Sequence, residues 1–305
     1  MRVCLYFFSG TGNTEKVALC LKKAFGEGTV LYKMVYPFLA YPNPNDFDLI
    51  GIGYPIHALN APKVVNDFLR RFPKAGKPKD YFVFKTSGEP LHINDSSSRK
   101  LIHRLKGKGY SCIQEFHYVM PYNMVFRHSD PMAKKMWIYA QRMADHNARK
   151  ILSGKVEAPR FRPLQGWYTV PFRIEWPFAP INGRFFKVKE SKCVHCLRCV
   201  RSCPLKNIEL KDGRIRFGKR CALCMNCSFS CPQKAIVPGI FAGKWLINGQ
   251  YRLEQLEKDD AVPVPSKSHE AHFNKAYDRY FAECDEALRS SASLGLIKPA
   301  GAPRI

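Results

Sequence analysis

Over residues 1–152, short and almost wholly apolar runs alternate with stretches in which apolar positions recur every three or four residues. The run from Arg2 to Phe8 stops at a cluster of glycines and predicts a strand covered on both faces. Val17, Leu21, Ala24 and Phe25 then share one face of a helix. Residues 28–35 and 47–53 are predicted as the second and third strands, and 81–85 and 112–119 as the fourth and fifth. Between them, Asn60-Ala61-Pro62 predicts a helix start, with asparagine as cap and proline in the first turn. Val64, Val65, Phe68, Leu69 and Phe72 form its apolar stripe, and Leu101, Ile102 and Leu105 mark a further helix. Asp130-Pro131 repeats the cap-plus-proline start for a helix running to about Leu152. Five strands interleaved with helices imply a parallel sheet with both faces covered.

The pattern changes after residue 152. Residues 153–186 carry Pro159, Pro163, Pro171, Pro177 and Pro180 among many aromatic residues, too apolar for a solvated linker, and predict an extended connector packed on its neighbours. Residues 187–238 form a cysteine-rich module. Residues 239–305 predict an irregular extension with one polar helix near 270–289, read as a peripheral brace.

Composition narrows the class. The chain has 305 residues, 46% of them hydrophobic, enough for one large core or two modest ones. No run approaches the length of a transmembrane helix, and the short apolar start reads as a strand rather than a leader. Eight of the 12 cysteines crowd into residues 193–231, a distribution that favours metal ligation in a reducing compartment, the cytoplasm, over a secreted disulfide scaffold. Cys4, Cys20, Cys112 and Cys284 read as small buried hydrophobes. The formal charge of +24 predicts attraction to acidic macromolecules.

Two runs carry the strongest chemical signal. Cys193, Cys196, Cys199 and Cys203 precede Pro204, and 28 residues on Cys221, Cys224, Cys227 and Cys231 precede Pro232. Three thiolates two residues apart can wrap three corners of a cube, while the proline turns the chain away after the fourth. Zinc ribbons or disulfides would use paired two-cysteine knuckles or irregular spacing. The runs resemble those of the two-cluster ferredoxin family, whose pattern is an established one. The resemblance implies two [4Fe-4S] clusters with crossed ligation: Cys193, Cys196, Cys199 and Cys231 on one, and Cys221, Cys224, Cys227 and Cys203 on the other.

The first strand ends in Phe8-Ser9-Gly10-Thr11-Gly12-Asn13-Thr14, directly before a helix. Glycines, hydroxyls and free helix amides make an anion site there. The loop is neither a Walker loop, lacking its lysine, nor the G-x-G-x-x-G fingerprint of nicotinamide sites. It resembles the phosphate loop of the flavodoxin family, met here by Ser9, Thr11, Gly12 and Thr14. That resemblance covers residues 1–152 and implies strand order 2-1-3-4-5, with flavin mononucleotide (FMN) at the carboxyl ends of the strands. It also implies flavin contacts from Tyr54, Pro55, His57, Ala58, Leu59 and Asn60, from Ser87, Gly88 and Glu89, and from Tyr118 and Tyr122. Tyr54 or His57 would stack on the ring.

The whole chain resembles flavodoxin–ferredoxin fusion proteins. The expected fold is α/β, a flavodoxin-like five-stranded parallel sheet with a second, smaller α+β two-cluster ferredoxin domain. The expected function is electron transfer coupling one-electron cluster chemistry to FMN. The alternative is an FMN-dependent reductase of a small molecule fed by its own ferredoxin module, for which no catalytic dyad is evident. Expected partners are redox proteins, such as an acidic ferredoxin or an oxidoreductase. A nucleic-acid-binding role would need a basic groove lined by stacking aromatics, and no specific nucleic-acid partner is expected.

Overall fold

The computed structural model describes residues 1–124, 126–159, 167, 169–239 and 251–293. Strands β1 (Val3–Phe7), β2 (Thr29–Lys33), β3 (Leu49–Pro55), β4 (Lys79–Ser87) and β5 (Tyr110–Val119) form one parallel sheet in the order β2-β1-β3-β4-β5. This is the flavodoxin-like α/β arrangement, with its switch point between β1 and β3. Alternation along β1 builds both cores: Val3, Leu5 and Phe7 enter one, and Cys4, Tyr6 and Phe8 the other. Helices α1 (Asn13–Phe25) and α4 (Asp130–Leu152) cover the first face, and α2 (Lys63–Arg70) and α3 (Arg99–Lys106) the second.

Local details differ from the sequence expectation. The α2 helix starts at Lys63 without a side-chain cap. Asn60 instead closes a bridge with His57, and its amide donates to the Ala58 and Thr169 carbonyls at 2.8 and 3.0 Å. The cap of α4 is Ser129, whose Oγ accepts from the Met132 amide, which puts Asp130 and Pro131 inside the first turn. The fifth strand begins two residues earlier than expected and shifts register against β4 at Tyr81/Phe82, a bulge that the apolar pattern does not reveal. Cys4 and Cys284 are buried, whereas Cys20 and Cys112 only half enter the cores.

Part of the connector is regular. A 3-10 turn, Pro171–Ile174, leads into the helix Glu175–Arg184, whose Ala179 and Asn182 are buried. Residues 160–166 and 168 of the expected connector, and 240–250 and 294–305 of the expected extension, lie outside the described residues. The carboxy-terminal helix runs Asn274–Ser293 and is more than a brace, because Tyr277 and Phe281 enter a core with Val119, Met132 and Met136. Ahead of it, the helix Leu253–Lys258 packs on α4, with Leu253 buried and Glu257 accepting from the Trp137 indole at 2.8 Å. Among the described residues, no helix is long and apolar enough to cross a membrane.

The cysteine-rich module is built twice. Its outer strands β6 (Lys187–Val188) and β9 (Ile236–Val237) pair antiparallel around the hairpin β7 (Ile208–Lys211) and β8 (Arg214–Phe217). The short helices Arg198–Ser202 and Asn226–Ser230 occupy equivalent places. Left-handed residues His195, Leu197 and Lys206 recur 28 positions on as Leu223, Met225 and Lys234. Each cysteine run therefore turns through the same conformation.

Candidate cofactor sites

A cleft of about 430 Å³ opens at the carboxyl ends of β1, β3, β4 and β5. That volume lies within the range of small-molecule and cofactor pockets. One wall is the loop before α1. Gly12 caps the helix at φ 106°, in the left-handed region where glycine is favoured, and no side chain caps the first turn. The first amides of a helix have no intrahelical acceptor, so this end offers donors to an anion. Ser9, Thr11, Asn13 and Thr14 line the cleft with Gly10. Asn13 donates to the Pro121 carbonyl at 2.8 Å, Thr11 accepts from Asn123, and Thr14 shares a buried 2.8 Å bond with Thr86. The loop is thereby tied to the ends of β4 and β5.

Pro55, His57, Ala58 and Leu59 form the second wall, with His57 edge-on to Phe8. Ala58 and Leu59 both have positive φ, a tight turn held by the Asn60 bridge. Ser87, Gly88, Glu89 and Tyr122 form the third. A Cβ on Gly88 would meet the Tyr122 ring at 2.3 Å, so glycine lets this ring lie flat on the loop. The Tyr122 hydroxyl bonds Glu89, and Asn94 donates to the same carboxyl at 2.8 Å. Burial raises the Glu89 pKa despite both bonds. Burial, then the Glu89 charge, pushes the Tyr122 phenol well up, so it stays a donor.

Four expected site residues do not line the cleft. Tyr54 points into the second core, its hydroxyl 3.3 Å from Ser97 Oγ. Tyr118 points into the first core and accepts from Asn147 at 2.9 Å. In a strand covered on both faces, alternate positions are bound for one core or the other, and these two tyrosines follow that rule. Asn60 is buried behind the cleft wall as the staple of its turn. Gly12 shapes the loop without lining the cleft.

The cleft also holds residues no local pattern indicates. Leu223, Cys224 and Met225, from the second cysteine run, form its fourth wall. A Cβ on Gly10 would lie 2.3 Å from the Cys224 carbonyl oxygen. The backbones of the amino-terminal loop and the cysteine module therefore touch. Tyr36 strengthens the junction, its amide donating to the Pro204 carbonyl at 2.8 Å.

The eight run cysteines sort into two rings. Cys193, Cys196, Cys199 and Cys231 surround one small cavity, and Cys203, Cys221, Cys224 and Cys227 another. Each ring borrows its fourth member from the other run. Among the described residues, the one group with three candidate ligand atoms mutually within 4.8 Å is Glu190, Cys193 and His195. A single tetrahedral zinc, with Zn–S about 2.3 Å, would hold its sulfurs about 3.8 Å apart. No three sulfurs of either ring lie that close together. Burial raises Cys221 to about 11 and Cys224 to about 12, so thiolates here need cationic charge beside them. Amides of Asn207 and Ala235 donate to the sulfurs of Cys203 and Cys231 at 3.3 and 3.2 Å, again 28 residues apart.

No protein-family model matches the chain, and no curated relative matches it. Among solved structures, it is similar to a flavodoxin from the domain Archaea, at 13% identity and TM-score 0.35, over 50% of this chain and 99% of that one. It is also similar to oxidised flavodoxin 2 from Bacillus cereus, at 20% identity and TM-score 0.31, over 38% of this chain and 84% of that one. A flavoprotein from Lactobacillus acidophilus NCFM, solved in complex with FMN, aligns at 14% identity and TM-score 0.31, over 38% and 92%. The fold assignment itself stands on the strand order and parallel register described above.

Proposed function

We propose that the chain is an electron-transfer flavo-iron–sulfur protein, with FMN in the cleft and a [4Fe-4S] cluster in each cysteine ring. The observation that carries this reading is the contact of Cys224 with Gly10, which makes one cysteine ring part of the cleft wall. The donor sets fit the groups. Four cysteines per ring, spaced too widely for one ion, suit a cubane, and the uncapped helix end beside Thr11 and Thr14 suits a phosphate. FMN supplies both one- and two-electron chemistry, and each cluster one-electron chemistry.

On this reading, the ring of Cys203, Cys221, Cys224 and Cys227 is the inner relay. The ring of Cys193, Cys196, Cys199 and Cys231 is the outer one, since Cys196 and Val194 are exposed. A second reading, a flavin-dependent reductase of a small molecule, is favoured by Glu89. Burial raises its pKa, and it stands bonded to the Tyr122 hydroxyl at the cleft wall, so a carboxyl and a phenol are paired where a substrate would lie.

Rapid anaerobic mixing tests the internal route on which both readings rest, and only the second adds turnover of a small-molecule substrate at the flavin. Protein with reduced iron and oxidised flavin should lose iron reduction and gain flavin reduction at one shared rate, independent of protein concentration. Gly10→Val, whose side chain would push the Cys224 backbone off the loop, should slow that rate at least tenfold in the chains that carry both iron and flavin. A rate proportional to protein concentration would mean transfer between molecules and would overturn the internal route.

A further inference from the structure

We propose that a second cavity binds a small molecule with a planar ring and two or three phosphates, a nucleotide polyphosphate. This cavity, about 510 Å³, lies where α2, the helix Glu175–Arg184 and residues 219–222 meet. It is separate from the phosphate loop, and of its lining only His57 and Cys221 have a place above, in the cleft wall and the inner cysteine ring.

Charge is the first argument. Lys63, Arg70, Arg71, Lys219 and Arg220 line the cavity against one carboxylate, Asp67, a formal excess of four positive charges that a cluster on Cys221 would offset only in part. Asp67 is already shared, accepting from Lys63 at 2.5 Å and from Arg70 at 3.0 Å. Lys219 has no acidic partner among the described residues. The excess extends to α3: the Lys100 pKa is lowered by burial first, then by Arg173, Arg104 and Arg70, with Asp67 opposing weakly. Each phosphate group brings roughly one to two negative charges, so two or three of them balance the excess and a lone carboxylate does not.

Geometry is the second argument. The Arg220 guanidinium stands 4.9 Å from the Tyr36 ring centroid and donates to the Leu205 and Lys206 carbonyls at 3.1 and 2.5 Å. The Arg71 guanidinium stands 5.6 Å from the Phe38 ring and donates to the Pro37 carbonyl at 2.9 Å. These bonds use only part of each five-donor fork and hold the remainder oriented, so little side-chain entropy remains to be lost on binding. Arginine forks match phosphate oxygens in pairs. The apolar part of the lining, Phe38, Val64 and Ala179 with the partly exposed Leu205 and Ala222, suits a planar ring. The cavity also reaches His57 and Cys221, so its ligand would lie beside both the cleft and the inner cysteine ring.

Equilibrium dialysis of purified holoprotein with labelled ADP tests the proposal. Binding should saturate at one ADP per chain, weaken with added salt, and be displaced by inorganic pyrophosphate. Arg71→Ala combined with Lys219→Ala should weaken it at least tenfold, and Asp67→Asn should tighten it severalfold. Thr11→Val, in the other anion site, should leave it unchanged. Absence of saturable binding at millimolar ADP would overturn the proposal. So would equal binding by the double variant, or adenosine binding as tightly as ADP. Iron and flavin contents of the same samples report independently on the redox reading.

Discussion

His128 is 1% exposed and joins three distant segments. Its Nδ1 accepts from the Tyr122 amide at 3.2 Å, its Nε2 lies 2.9 Å from the Tyr277 hydroxyl, and that hydroxyl donates to the Gly88 carbonyl at 2.7 Å. The chain of donors defines a neutral imidazole, since a proton on Nδ1 would face the Tyr122 N–H. Burial lowers the pKa from 6.5 to about 3. The unfolded chain therefore takes up a proton below pH 6.5 that the folded protein refuses, and stability falls as pH drops from about 6.5 towards 3. Denaturation midpoints across that window should show His128→Phe losing up to about 1.4 kcal/mol per pH unit of slope relative to the parent. The variant should be less stable at pH 7, by about 1–3 kcal/mol, because the Tyr122 amide loses its acceptor. His117, also lowered to about 3 by burial, then Lys85 and His92, leaves a residual slope in both proteins. An unchanged slope in the variant would mean that His128 titrates normally.

At the scale of elements, the 28-residue repeat turns two ordinary-looking runs into interdependent rings. The short helices Arg198–Ser202 and Asn226–Ser230 pack together, with Asn226 donating to the Ser202 carbonyl at 2.6 Å. This contact brings the last cysteine of each run to the opposite ring. Cys231→Ser and Cys203→Ser should each lower the iron content from about eight to about four per chain. They should differ in kinetics. Cys231→Ser empties the outer ring and leaves internal transfer to the cleft intact, whereas Cys203→Ser empties the inner ring and abolishes it. Local rather than crossed rings would reverse the two outcomes, which rapid mixing distinguishes.

At the scale of the whole molecule, the formal charge of +24 would steer the acidic redox partners that the proposed function calls for. The proposed port is the loop around the outer ring. There Val194, 61% exposed, sits among the exposed Lys189, Lys192 and Arg198, an apolar centre inside a charged rim. An acidic one-electron carrier suits that surface, with steering that fades as salt shortens the reach of charge. The second-order rate of reduction by a reduced acidic ferredoxin should fall steeply between low and physiological salt. Lys189→Glu with Lys192→Glu should lower it about tenfold at low salt, while reduction by a small uncharged reductant stays the same. A salt-independent rate would rule out this port.

By itself, the sequence determined the periodic and the covalent features: five apolar runs, the small-residue loop before α1, and eight cysteines at repeated spacing. These were legible because strand burial, helix-end anion binding and thiolate spacing each act within a few residues. Tertiary structure alone decided what lies against what. Tyr54 and Tyr118 sit at positions as close to the cleft as their neighbours, yet the faces covered by helices draw both into the cores. The first turn of α2 goes without its expected cap because the Asn60 side-chain oxygen accepts from the Arg173 guanidinium at 3.2 Å instead of from a helix amide. Leu223, Cys224 and Met225 enter the cleft, and five cations gather around one carboxylate, only once the module docks on the sheet's edge. Such contacts join residues some two hundred positions apart, as Gly10 and Cys224 are, and no local periodicity encodes them.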